Sequence, residues 1–252
     1  MYERLPTIYI GYDEREDIAF EVLVESIKST SSFKNLNIIK LNQSALRAIG
    51  LYRRAYKTID NKQKIDLSDG LPFSTDFSFT RFLVPHLNQY EGLAIYMDCD
   101  MLVRSDIMEV FEKYAEAKHA VSCIWHDYVV SDNVIFKMDQ QIQQNYSKKN
   151  WSSGHVANAN LTPDDVNTKP GRWLHNFEWI GETINPIGNI HEEWNWLDGH
   201  SNSEIEAKNV HFTTGGPWFS NWTPLTTNEN EYVDERKALR DKIIIDEGLV
   251  NV

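Results

Sequence analysis

The stretch Gly92-Leu93-Ala94-Ile95-Tyr96-Met97-Asp98-Cys99-Asp100-Met101-Leu102-Val103 constrains the fold of this chain more than any other. An apolar run meets two carboxylates one residue apart and then returns to apolar residues, the pattern of a buried strand with a polar insertion. As a strand, its period of two sets Met97, Cys99 and Met101 on one face and Tyr96, Asp98 and Asp100 on the other. Both acids then project the same way, with Cα atoms about 6.5–7 Å apart. At an effective dielectric near 20, two such carboxylates repel by about 2–2.5 kcal/mol. A divalent cation between them turns that repulsion into attraction, which predicts a metal site at the end of a buried strand, serving phosphate chemistry. The triplet by itself reads equally well as a polar strand end leading into a turn.

The rest of the chain supplies an α/β frame. Pro6 to Tyr12 reads as a first buried strand, and the charged cluster from Asp13 to Asp17 suits a helix N-terminus. Ala19, Phe20, Leu23 and Ile27 recur at helical spacing, and Ile38 to Leu41 is a second strand. A strand, a helix and a strand in this order open a nucleotide-binding arrangement, in which ligands sit beyond the carboxyl ends of the strands. Gly11, Tyr12 and Arg15 therefore fall at the expected pocket rim. Leu51 to Gly70 reads as an irregular surface excursion, and Ser74 to Pro85 as a capped helix carrying Arg81 and broken or kinked near Pro85. Ser105-Asp106 caps a helix with Ile107, Val110, Phe111 and Tyr114 inward, and Ala120 to Trp125 is another strand. Ser131 to Lys149 is a polar excursion. Thr162-Pro163-Asp164-Asp165 starts a helix, and Trp173, Phe177 and Ile180 suggest a second amphipathic one. A strand from Val210 delivers His211, after which Gly215 and Gly216 permit close backbone approach. Glu229 to Gly248 reads as a last helix with Tyr232, Leu239 and Ile243 inward.

The net charge of −12 argues against a nucleic-acid or acidic-membrane partner. No Gly-x-Gly-x-x-Gly and no Walker loop is present, so dinucleotide and P-loop enzymes fit poorly. Cys99 and Cys123 lie in apolar runs and read as buried thiols. No segment reaches the roughly 20 apolar residues of a membrane span, and Thr7 to Ile10 is too short for a signal-peptide core. A cytoplasmic, soluble protein without an integral membrane segment is the expectation.

In order along the chain, YIGYDERE, STDFSFTRFLVP, AIYMDCDMLV, NWSS, LTPDDVN, EWNWL and VHFTTGGPWF resemble pieces of GT-A fold glycosyltransferases of the family 8 type. That group holds glycogenin and bacterial lipopolysaccharide galactosyltransferases, and the nearer likeness is to bacterial and phage members. The resemblance implies an α/β fold with a Rossmann-like mixed sheet flanked by helices, in a single domain over 1–252. A donor nucleotide-binding half would occupy about 1–105 and an acceptor-side half about 106–252. It implies a hexosyltransferase that uses a UDP-sugar, acts on a carbohydrate or glycoconjugate acceptor and retains anomeric configuration.

Residue by residue, the resemblance makes Asp98, Asp100 and His211 ligands of Mn²⁺ or Mg²⁺, and Asp98, Asp100, Arg81 and Glu178 the catalytic set. Ile10, Gly11, Tyr12, Arg15, Arg81, Thr213, Gly215 and Gly216 would hold the donor. Trp151, Ser152, Trp194 and Trp218 would face the acceptor, the indoles as flat faces for sugar stacking. Many relatives carry a Lys where Gly216 stands, which leaves more of the phosphate charge to the metal. The segment Gly154 to Asn160 follows NWSS so closely that the strand usual there reads as missing or trimmed. That shortness motivates a second reading, a degenerate member that binds a nucleotide or glycan without turnover. Nucleotidyl transfer fits less well, because it needs a basic Gly-rich loop where Gly11-Tyr12-Asp13-Glu14 is acidic.

Overall fold

A computed structural model describes residues 4–59, 63–114, 119–126, 136–137, 141–142, 148–157, 160–180, 187–219, 222 and 230–246. The elements run β1 (Thr7–Tyr12), α1 (Asp17–Thr30), β2 (Asn37–Asn42), α2 (Gln43–Ala48), β3 (Tyr56–Thr58), β4 (Lys64–Asp66) and β5 (Pro72–Phe73). There follow α3 (Phe77–Thr80), α4 (Val84–Leu87), β6 (Ala94–Met97), β7 (Met101–Val103), α5 (Met108–Tyr114), β8 (Val121–Ile124), β9 (Phe136–Lys137) and β10 (Gln141–Ile142). The remainder is β11 (Gly154–Ala157), α6 (Pro163–Thr168), α7 (Gly171–His175), β12 (Ile187–Ile190), β13 (Trp196–Leu197), β14 (Asn209–His211) and α8 (Asn230–Asp246).

The central sheet has the order β12-β8-β11-β6-β1-β2. β1 runs parallel to β2 and β6, and β12 parallel to β8, while β11 is antiparallel to both of its neighbours. One sheet thus draws strands from both halves of the chain in a single domain. α1 and α5 cover one face, where Phe20, Leu23, Ile27 and Phe111 pack with Ile8, Ile10, Ile95 and Met97. The segment through α4 covers the other, where Val84 meets Tyr9, Leu41 and Tyr96. The period-2 alternation of β1 and β6 gives each strand one side chain for each layer. No helix among the described residues is long and apolar enough to cross a membrane.

Several expectations are corrected. The run from Gly92 to Val103 is not one strand: β6 ends at Met97 and β7 begins at Met101 in a separate sheet ordered β13-β14-β7. The buried carboxylates find their partners in side chains beyond the ladder, so the chain turns a corner there. The expected facing nevertheless survives the corner, with Met97, Cys99 and Met101 in the main core and the Tyr96 hydroxyl donating to Asp98 Oδ1.

The segment after Ser153 holds β11, seated between β8 and β6, so the strand that reads as missing is present. Gly154 and Ala157 at its ends disguise a strand of ordinary pairing. Leu51 to Gly70 is no irregular excursion either, because β3, β4 and β5 form a small antiparallel sheet. Arg54, 1% exposed, anchors it through Asp66 Oδ2 and the Val166 carbonyl. A polar composition hid a buried ion pair.

The expected Ser74–Pro85 helix is three short pieces, α3, a 3-10 turn at Arg81–Leu83, and α4. The break expected near Pro85 is there, because Pro85 has no N–H to continue the hydrogen-bond ladder across that join. Past α6, Pro170 starts α7, and the left-handed Phe177 (φ 57°) splits the second expected helix into α7 and a turn at Glu178–Ile180. The charged cluster at residues 13–17 leads into α1 as expected, with Asp13 and Glu16 buried. Most of 131–149 lies outside the described residues, which show β9 and β10 paired there.

Candidate functional site

The corner between β6 and β7 presents Asp98 and Asp100, and β14, antiparallel to β7, brings His211 opposite Met101. His211 Nε2 lies 3.3 Å from Asp100 Oδ1 and 3.9 Å from Asp98 Oδ2. One ligand atom from each residue lies within 4.8 Å of the others, and all three side chains are buried. Ligand atoms about 2.0–2.6 Å from one ion are separated by comparable distances. Two carboxylate oxygens and one imidazole nitrogen fit a small divalent cation, so the group can hold a metal. Backbone bonds lock the frame, with the Phe212 N–H donating to the Asp100 carbonyl and the Asp198 N–H to the His211 carbonyl.

Two further side chains set the ligands' orientation. Arg81 is 5% exposed, and its Nη2 lies 3.0 Å from Asp98 Oδ1. The same guanidinium donates to the carbonyls of Phe77 (3.2 Å) and Ser152 (2.9 Å). Burial pushes the Asp98 carboxyl above its usual range, while the Arg81 charge opposes that shift and Asp100 adds to it. Asn195, fully buried, was not foreseen. Its Nδ2 donates to the Asn150 carbonyl, so its Oδ1 faces His211 Nδ1 at 2.9 Å. The Nδ1 proton therefore sits between these two, and the Nε2 lone pair is left for the carboxylate side.

A cavity opens over this corner. Its walls include Phe73, Ser74, Thr75 and Phe77, then Arg81, Asp98 and Asp100, then Lys149 and Asn150, then Arg172, His175, His211 and Thr213. Of the expected site residues it gathers Arg81, Asp98, Asp100, His211 and Thr213. Lys149, Asn150, Arg172 and His175 line it without having been singled out. Asn150 opens the quoted NWSS piece and Lys149 precedes it, and that was the signal available.

The other expected donor residues stand around the cavity without lining it. Ile10 is fully buried in the main core. A side chain at Gly11 would meet the Tyr96 hydroxyl at 2.3 Å and Phe77 Cβ at 2.7 Å, so this glycine lets Tyr96 reach Asp98. The Tyr12 hydroxyl donates to Asp17, and its ring packs edge-on against Phe20. Arg15 grips Asp13 and the carbonyl of Ser74, a cavity residue. Gly215 has φ 101°, and a Cβ on Gly216 would strike the Trp218 ring at 2.0 Å.

Among the expected acceptor-side residues, Ser152 contacts Arg81 and lies 3.3 Å from His175 Nδ1 through its hydroxyl. Trp151 donates to the His126 carbonyl and stacks on Trp125. Trp194 is buried in the main core. Trp218 packs edge-on against Phe212. Glu178 is exposed, outside the cavity, and accepts from Asn176. Arg236 of α8 is a second unforeseen residue. Its guanidinium, 2% exposed, lies 4.3 Å over the Trp218 ring, and Nη1 donates to the Met101 carbonyl at 3.4 Å. Burial holds its pKa down to about 10, against the pull of Asp100.

No protein-family model matches the chain. It is 39% identical over 251 residues to Protein CDI of Arabidopsis thaliana, which covers 93% of this chain and 90% of that relative. Galactosyltransferase LgtC, solved with donor and acceptor sugar analogs, superposes with a TM-score of 0.52 at 10% identity, over 94% of this chain and 95% of its own. Glycosyltransferase GlyE of Streptococcus pneumoniae TIGR4 gives a TM-score of 0.53 at 11% identity, over 97% of this chain and 64% of its own. The bifunctional glycosyltransferase WbbM gives 0.51 at 12%, over 85% and 47%. The chain thus spans about half the length of WbbM and just under two thirds of GlyE. The shared architecture is the GT-A fold, as the sequence resemblance implies.

Proposed function

The chain belongs to the family of Arabidopsis Protein CDI, and from that premise, the GT-A fold and the corner site we propose that it is a metal-dependent glycosyltransferase. It moves a sugar from a nucleoside-diphosphate donor, a UDP-sugar, to a carbohydrate or glycoconjugate acceptor. The observation that carries this reading is the buried Asp98-Asp100-His211 group, whose ligand atoms lie within 4.8 Å of one another at the floor of a cavity.

Breaking a sugar–phosphate bond develops charge on the leaving diphosphate, and the bound cation supplies the stabilisation of that charge. The imidazole ligand favours Mn²⁺ over Mg²⁺. Arg81 holds Asp98 in place and opposes the rise that burial imposes on its carboxyl, and Asn195 keeps the His211 Nε2 lone pair available. Lys149 and Arg172 add positive charge to the cavity wall that an anionic donor meets. The loop through Gly11, Tyr12 and Arg15 takes the nucleoside, and the backbone at Gly215 and Gly216 follows the diphosphate. Membership of the family 8 type, retention of configuration and a cytoplasmic location complete the proposal. The segment whose shortness motivates the degenerate, non-catalytic reading forms β11, which supports the catalytic one.

The test is UDP-sugar turnover with Mn²⁺, comparing wild type with Asp100→Ala across several donors. Metal-dependent turnover that the variant lacks is the expected result. UDP with Mn²⁺ at 100 times Kd should also add about 2.7 kcal/mol of stability. A melting temperature that neither moves would overturn the donor site itself.

A further inference from the structure

The central sheet puts a second residue level with Asp98. β11 pairs Gly154 with Met97 on one side and His155 with Cys123 on the other. One step along the second ladder sets Ile124 opposite Gly154, hence level with Met97. Asp98 and Trp125 each follow by one residue, so both leave the same sheet edge at the same height. Their backbones are two strand spacings apart, about 10 Å.

Both residues also project from the same face. Met97 and Ile124 point into the core beneath α1, whereas Tyr96 and Cys123 point the other way. By alternation Asp98 and Trp125 share the face of Tyr96 and Cys123. The turn from Asn150 to Ser153 fills the space between them, and Asn150 lines the cavity.

Trp125 is 48% exposed, yet it is firmly held. Its ring stacks on Trp151 with centroids 5.1 Å apart and planes inclined by 2°. The Trp151 Nε1–H donates to the His126 carbonyl, and the Trp125 N–H donates to Asn189 Oδ1. Trp151 in turn packs on Val121, Cys123 and Phe177. The outcome is a flat indole, backed on one side and open to solvent, at the sheet edge that carries Asp98. A large aromatic side chain left half in water against such support suits a ligand with an apolar face and polar edges. A pyranose ring has that shape.

We propose that Trp125 is the floor of an acceptor subsite that stacks a sugar ring. Resting on the glycosyltransferase reading above, the separation from Asp98 specifies the acceptor class. One ring on Trp125 does not reach the corner, so the acceptor is an oligosaccharide or glycoside whose terminal ring enters the cavity while an inner unit stacks on Trp125.

The test uses ¹⁵N-indole spectra of the wild-type protein titrated with methyl β-D-glucopyranoside, lactose, cellobiose, maltotriose and N,N′-diacetylchitobiose. Expected is a shift of the Trp125 indole resonance with at least one oligosaccharide, at lower concentration than with the monosaccharide. Trp125→Ala should weaken that binding about tenfold, and Trp125→Phe, which keeps a flat ring, should restore most of it. A Trp125 resonance unmoved by every sugar, or a Trp125→Ala variant that binds as tightly, overturns the proposal. The response of the wild type to UDP and Mn²⁺ is read separately. Its absence counts against the donor site, whereas the sugar titration reports on Trp125.

Discussion

Asn195 Oδ1 lies 2.9 Å from His211 Nδ1, and the other end of the same amide donates to the Asn150 carbonyl. The amide therefore cannot turn over, and the imidazole is held in one tautomer with Nε2 aimed at Asp100. Replacing Asn195 with Leu removes this orientation without removing a ligand. Mn²⁺ affinity should fall about 10–100-fold, the usual consequence of losing such a partner. Calorimetric Mn²⁺ titration of wild type and variant checks it, and an unchanged affinity would count against Asn195 as the orienting group.

Arg81 should matter most when the metal is absent. Arg81→Met strips the buried Asp98 of its cationic partner, which costs about 3–5 kcal/mol in comparable buried pairs. Arg81→Lys recovers little, because one ammonium cannot serve Asp98 and the Phe77 and Ser152 carbonyls together. Urea unfolding in EDTA should show the full loss. Added Mn²⁺ should narrow the gap by supplying a substitute charge.

Gly11→Ala tests whether that glycine is needed for packing. The new methyl would press on the Tyr96 hydroxyl and Phe77, and thus on the bond from Tyr96 to Asp98. A destabilisation of about 1–3 kcal/mol is expected, with weaker Mn²⁺ binding alongside. Thermal melts with and without Mn²⁺ separate the two effects.

His126 gives the fold a pH dependence. Burial, with His211 adding to it, holds its pKa down to about 3 from an ordinary value of 6.5. The folded state keeps it neutral, whereas the unfolded chain takes up a proton below pH 6.5. Stability should therefore fall as pH drops through that value, by about 1 kcal/mol between pH 7 and 5.5. His126→Phe should lose this slope, as urea melts at the two pH values would show.

The features legible in the sequence were those carried by local periodicity. Alternation around Asp98 separated the core face from the polar face, and it did so although the strand breaks there. The break itself depends on β14, which pairs with β7 from far along the chain and draws the corner into a second sheet. The small sheet at β3–β5 was hidden for a similar reason. Arg54 and Asp66 look like surface charges until each is seen to be the other's partner. His211 was found by resemblance, but Asn195 was not, since an amide between two tryptophans reveals its role only when its two neighbours are in place.

Arg236 sits behind this corner. Its bond to the Met101 carbonyl spans 135 residues, and its guanidinium also rests on Trp218. Contacts of such separation close large loops and belong to the slow part of folding. During synthesis the two aspartates emerge long before the helix whose cation and the strand whose imidazole they meet. A nascent chain halted before β14 would display the Asp-x-Asp motif in full and still lack the imidazole that completes the group. The ability to take a metal is thus acquired only when β14 pairs with β7, and metal uptake would report that this late strand has docked.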